Sequence, residues 1–282
     1  MEIGLIDVDG HGFPNVALMK ISSYHKQIGD SVEWVNYFQG YHKVYMSKVF
    51  TFSPDIHTVI NADEIHKGGT GYNIEKRLPI DIEICDPDYL IYPQYDFSVQ
   101  FFSRGCIRNC SFCVVRKKEG WIMPVRPMNL NPKGKHIEIL DNNFFANPEW
   151  KSAINYLLDK KQPVNLHGVD VRIMDEEQAY WLNKLKHVKQ IHIAWDFPNL
   201  DLVPKISEII KWIKPYKIMC YVLIGFNSTP EEDLFRVEKL RELGVDPFVM
   251  PFNKSDPYQK NFARWVNHKA IFKSVKWTNY RS

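Results

Sequence analysis

Short apolar runs alternate along the chain with stretches whose apolar residues recur every three or four positions, the signature of strands and amphipathic helices in succession. GLIDV near the start predicts a buried strand. The following PNVALMKISSYHKQIG predicts a helix, with Pro14 near its start, apolar Val16, Met19, Ile21 and Ile28 along it, and Gly29 as its stop. SVEWVNYF and KVYMSKVF read as two more strands, followed by HTVINA and the glycine turn GGTG at 68–71. A Pro- and Asp-rich connection, RLPIDIEICDPDYLIYPQYD, then interrupts the pattern. From Phe97 the alternation becomes regular. FSVQFF, HIEIL, PVNLHGV, QIHIAW, KIMCYVLIG and DPFVMPF are the strand candidates, with helices expected near 148–160, 175–187, 202–213 and 230–243, the last ended by Gly244.

Strand–helix–strand order predicts an α/β protein. The first unit reads as a small N-terminal Rossmann-like α/β domain over residues 1–78, with a linker at 79–96. The nearly continuous apolar runs after it fit strands covered on both faces of a parallel sheet. Six such units over 97–252 are too few for a closed eight-stranded barrel and predict a partial (βα)6 TIM-type barrel. Residues 253–282 form a basic, aromatic C-terminal extension.

Composition narrows the setting. With 45% hydrophobic residues the chain can bury a sizeable core, and no run approaches 18 consecutive apolar residues. The opening MEIGLIDVDG lacks the basic flank and long apolar core of a secretion signal, so the expectation is a cytoplasmic chain with no membrane partner. Net charge is only +3 but unevenly spread: residues 1–103 hold 7 Lys/Arg against 14 Asp/Glu, and the remainder 29 against 19. Five cysteines, an odd number, argue for a reducing compartment over a disulfide framework.

Three of them are packed into RGCIRNCSFCVV, as Cys106, Cys110 and Cys113. Thiolates favour zinc or iron–sulfur clusters. Structural zinc normally takes four ligands in two separated pairs, and here no second pair exists, since Cys85 and Cys220 stand alone. A cubane held by three thiolates keeps one iron open for another ligand. The loop also follows directly from the FSVQFF strand, the carboxyl end at which parallel α/β architectures carry their sites.

Cys106-x-x-x-Cys110-x-Phe112-Cys113 resembles the signature of radical S-adenosylmethionine (SAM) enzymes. The resemblance implies a 4Fe-4S cluster on the three cysteines, SAM chelated at its open iron with Phe112 beside it, and reductive cleavage of SAM to a 5′-deoxyadenosyl radical that acts on a substrate the sequence does not identify. It also implies an electron donor of flavodoxin or ferredoxin type. Later strand ends would hold SAM: Asp141 and Asn142 at its ammonium group, Asp170 and Arg172 at ribose and carboxylate, Asp196 at ribose, and Gly225 where backbone passes the adenine. Several positions have a plainer alternative. Asp141-Asn142-Asn143 also suits a helix cap, Asp170 and Arg172 a local ion pair, and Thr229-Pro230 with Glu232 a capping box. Arg104, Arg108, Arg116, Lys117 and Lys118 around the cysteines fit either an electropositive surround or a solvated loop.

The first unit resembles a truncated cobalamin-binding domain through Asp9-x-His11, Ser47-x-Val49 and Gly68-Gly69, with Pro14 where that family has a glycine. The resemblance makes cobalamin a candidate second cofactor and a cobalamin-dependent methyltransferase an alternative activity. The other alternative is a buttressing domain without cofactor. In the tail, seven Lys/Arg interleave with Trp265, Phe272, Trp277 and Tyr280. Such a pattern fits a helix docked on the barrel or a nucleic-acid contact, and the latter would belong to a non-enzymatic iron–sulfur or zinc protein.

Overall fold

The structure, a computed structural model, describes residues 1–280; Arg281 and Ser282 of the basic tail lie outside the described residues. It is a mixed α/β fold with parallel sheets and divides into two compact units, each discontinuous in sequence. The first comprises residues 1–100, 108–121 and 126–135; the second comprises 101–107, 122–125 and 136 onward.

In the first unit, β1 (Glu2–Asp7), α1 (Val16–Gln27), β2 (Ser31–Trp34), β3 (Tyr41–Ser47) and β4 (Ala62–Gly68) build an all-parallel sheet of order β2-β1-β3-β4. Asn15 caps α1 by accepting the Leu18 amide, and Gly29 leaves it at φ +86°, a conformation favouring glycine. Leu18, Met19 and Ile21 are buried, as are Ile3, Leu5, Val44 and Met46 of the sheet. The HTVINA segment forms no strand over 57–61. The fourth strand is instead Ala62–Gly68, an edge strand whose sequence ADEIHKG is largely solvated and carries no apolar alternation. α2 (Ile80–Glu83), β5 (Ser98–Gln100) and α3 (Val115–Glu119) complete this unit.

The second unit begins with a short antiparallel pairing of β6 (Ser103–Arg104) with β7 (Met123–Pro124). The alternating series follows: β8 (Ile137–Ile139), α4 (Trp150–Lys160), β9 (Val164–Leu166), α5 (Glu176–Lys184), β10 (Ile191–Ala194), α6 (Val203–Ile209), β11 (Ile218–Ile224), α7 (Pro230–Glu242) and β12 (Asp246–Pro251). β8 pairs parallel with β9, and β10-β11-β12 form a parallel sheet. Among the described residues the strands do not close into a barrel. α6 is shorter than its expected span, because the chain tightens into turns ahead of Pro215, which can neither donate a hydrogen bond nor tolerate helical backbone before it.

β8 and β9 are buried at every position, as their near-continuous apolar runs predict, whereas the two faces of β11 differ. Along β11, Ile218, Cys220, Val222 and Ile224 are buried while Met219, Tyr221 and Leu223 remain partly accessible. The tail packs on this unit: α8 (Pro257–Asn267) buries Phe262, Trp265 and Val266, and α9 (Lys269–Ser274) buries Phe272. Asn267 brackets β12 by accepting the Val249 amide and donating to the Val249 carbonyl. No helix among the described residues is long and apolar enough to cross a membrane.

Candidate functional site

Gly105, at φ +82°, turns the chain out of β6 into the cysteine segment. Cys106 is half-buried in the second unit. Cys110 and Cys113 belong to the first, where the Cys113 amide donates to the Cys110 carbonyl at 2.9 Å in a turn that leads into α3. Cys110 and Phe112 are half-buried and Cys113 is exposed. The two remaining cysteines are different: burial pushes the thiols of Cys85 and Cys220 up, and Cys85 donates to the Asp81 carbonyl. A buried neutral thiol is a poor ligand, so the donor set suited to a soft metal is the loop's three sulfurs. Among the described residues no group of three or more His, Cys, Asp or Glu side chains is already gathered around a metal position.

Of the surrounding cations, Arg104 lies over the Phe101 ring, Arg116 stacks on Trp121 at 3.5 Å, and Lys118 donates to the Lys76 carbonyl. Arg104 and Arg116 thus stack on rings of their own segment, and Lys118 ties α3 to the backbone at Lys76.

In the second unit a side-chain series runs from Cys106. The amide nitrogen of Asn143 lies 3.8 Å from the Cys106 sulfur and donates to Asp170 Oδ2 at 3.2 Å. Asp170 in turn receives Arg172 through Nε at 2.6 Å, Nη2 at 3.0 Å and the backbone amide at 3.2 Å. Arg172 and Asp170 are therefore paired in a bidentate fork, with the guanidinium a quarter exposed. Asn143 Oδ1 is buried without a partner.

Asp141 begins the segment that carries Asn143 and acts on the other side of the loop. It accepts the Phe102 amide at 2.8 Å and the Ser103 hydroxyl at 2.5 Å, clamping the two residues that lead into the cysteines. Burial pushes its carboxyl up to about 6 despite those hydrogen bonds. Asn142 beside it is half-buried. Gly168, after β9, has this segment pressed against it: a Cβ there would meet the Asp141 carbonyl oxygen at 2.1 Å.

Asp196 follows β10 and Trp195. The buried Arg236 of α7 holds the Trp195 carbonyl at 2.9 Å and Asp233 at 2.5 Å, fixing the strand end that carries Asp196. Burial raises the Asp196 carboxyl, with Arg172 and Arg236 close enough to oppose the rise. Gly225 closes β11 at φ +73°, where a Cβ would meet the Gln259 side chain of α8 at 2.2 Å. The close approach at Gly225 is thus made by the tail. Thr229 and Glu232 form the capping box that opens α7.

The N-terminal candidates knit their own loops together. Asp9 accepts the Val49 and Phe50 amides and the Ser53 hydroxyl, and Asn15 donates to Ser47. His11 packs between Trp34 and Tyr92, with its carbonyl accepting the Tyr95 hydroxyl. Gly68 pairs with Ser47 across β3 and β4, and Gly69, at φ +94°, passes so close to Lys48 that a Cβ would meet its carbonyl at 2.2 Å. None of these contacts singles out cobalamin as a ligand.

Asn143, Gly168 and Arg236 were not among the sequence-derived site residues. Asn143 shared the polar cluster Asp141-Asn142-Asn143 without distinction, and the signal for Gly168 was a glycine interrupting the strand run PVNLHGV. Compared with protein-family models the chain matches none, and no curated protein gives a significant match.

Proposed function

We propose that this chain is a radical SAM enzyme built on a partial (βα)6 barrel, with Cys106, Cys110 and Cys113 holding a 4Fe-4S cluster. When bound, that cluster with SAM at its open iron supplies the electron that splits SAM into methionine and a 5′-deoxyadenosyl radical. The carrying observation is the series Cys106–Asn143–Asp170–Arg172, because it ties one loop sulfur to the polar groups at the ends of β8 and β9. Those groups belong to the kinds that bind an amino acid and a ribose.

The chain's own residues divide the work. Asn143 aims an N–H at the Cys106 sulfur, a contact that favours a sulfur carrying negative charge. Asp170 fixes the plane of the Arg172 guanidinium, whose accessible edge is suited to a carboxylate. Asp141 holds Phe102 and Ser103 so that the loop leaves β6 in one direction. Asn142, Asp196 and Gly225 complete the proposed SAM contacts, and a small redox protein would be the electron donor.

The test is anaerobic reconstitution with iron and sulfide, then incubation with SAM and dithionite. The expected product is 5′-deoxyadenosine, abolished in Cys113→Ala. A protein with an intact cluster that forms no 5′-deoxyadenosine and leaves SAM unbound would overturn the proposal.

A further inference from the structure

The second unit's strands carry a buried polar row distinct from the cysteine loop. Glu138 of β8 and Asn165 of β9 are direct register partners, His136 and His167 lie two residues away on the same face, and His192 follows on β10. Glu138 Oε1 is 2.9 Å from His136 Nε2. Its Oε2 is 2.5 Å from His167 Nε2 and 2.8 Å from Asn165 Nδ2. Burial alone would raise the Glu138 carboxyl, but the hydrogen bonds from His167, His136 and Asn165 win and hold it down at about 2. An ionised carboxylate only accepts, so both histidines direct Nε2–H toward it and Asn165 directs its NH2 there. The Asn165 oxygen therefore faces elsewhere.

Burial and neighbouring His167 lower the pKa of His192, which favours its neutral ring. Two polar atoms are left over: His192 Nδ1 and Asn165 Oδ1 are buried with no partner, in residues only 7% and 2% exposed. Buried polar atoms without partners are uncommon in folded proteins, and a ligand that donates hydrogen bonds completes them. Tyr221 adjoins His192 at 5.3 Å between ring centroids, Phe248 adjoins Tyr221 at 5.7 Å, and both rings are partly accessible.

We infer that this row is a binding site for a small molecule with an amine or amidine head on a flat, ring-like body. The head donates to His192 Nδ1 and Asn165 Oδ1 in the field of Glu138, and the body lies along Tyr221 and Phe248. The carboxylate favours a cation over an anion at this position, and the aromatic rings favour a flat partner. The inference is independent of cluster binding at the cysteine loop.

The test uses the full chain labelled with 15N-histidine, titrated at pH 7.5 with benzamidine and, separately, with benzoate as a probe of the same ring and opposite charge. Benzamidine is expected to bind with a Kd on the order of a millimolar, as befits a ligand of its size, and to move the His192 Nδ1 resonance from that of a bare pyridine-type nitrogen toward a hydrogen-bonded one. Benzoate should leave it in place, and His192→Phe should weaken benzamidine at least tenfold. Should His192→Phe fail to fold, Asn165→Leu and the wild-type Nδ1 resonance decide. No saturable movement, an equal response to benzoate, or undiminished binding in the variants overturns the assignment.

Discussion

The side-chain nitrogen of Asn143 stands 3.8 Å from the Cys106 sulfur while donating to Asp170, so one amide joins the first cysteine of the loop to the acid after β9. Outer-shell partners of metal ligands typically contribute 10–100-fold to metal affinity. Asn143→Leu keeps all three thiols and a similar volume. It is expected to lose iron to a competing chelator roughly 10-fold more readily than the wild type, measured as iron retained per chain after anaerobic reconstitution.

Asp141 makes a pH prediction of definite sign. Its folded carboxyl sits at about 6 against the ordinary 3.8, so between those values the folded state holds more protons than the unfolded one. Stability must therefore fall as pH rises from about 4 to about 6, by up to about 3 kcal/mol from this group. Asp141→Asn still accepts the Phe102 amide through its oxygen and removes this dependence. Asp141→Ala leaves that amide and the Ser103 hydroxyl without their partner and should destabilise by about 2 kcal/mol. Urea unfolding of the three proteins from pH 4 to pH 7 checks both expectations.

Glu138 carries the opposite sign. Its carboxyl is held at about 2, below the ordinary 4.5, so its contribution is present above pH 4.5 and disappears as pH falls toward 2. Glu138→Gln is expected to destabilise the protein at pH 7 by about 2–3 kcal/mol and to flatten the acid limb of the stability profile, again by urea unfolding.

At Gly225 the positive φ and the Gln259 side chain act together. Gly225→Ala should cost about 2–3 kcal/mol, of which strain at φ +73° is one part and the collision with Gln259 the other. The pair Gly225→Ala with Gln259→Ala should recover the steric part, giving a coupling of about 1 kcal/mol in a double-mutant cycle.

Elements bounded by strong local signals were legible from the residues alone. α1 lies between Pro14 and Gly29, and α7 opens at Thr229-Pro230, as their capping chemistry requires. β4 was not, because an edge strand need bury neither face and ADEIHKG carries no alternation to detect. The cysteine loop stood out because its spacing is local. Asn143 and Gly168 did not, since their contacts join segments separated by an intervening helix. Glu138, Asn165 and His192 were concealed within HIEIL, PVNLHGV and QIHIAW, runs apolar enough to suggest cover on both faces; only their joint placement reveals a polar one.

The proposed cluster rests on three loop thiols, with one iron left for SAM. Electron paramagnetic resonance of the reduced, reconstituted protein, recorded with and without SAM, tests it most directly. The expected result is a 4Fe-4S signal that SAM perturbs, that Cys85→Ser and Cys220→Ser retain, and that Cys106→Ala, Cys110→Ala and Cys113→Ala each lose. A signal that survives removal of one loop cysteine, or one that SAM leaves unchanged, would contradict it.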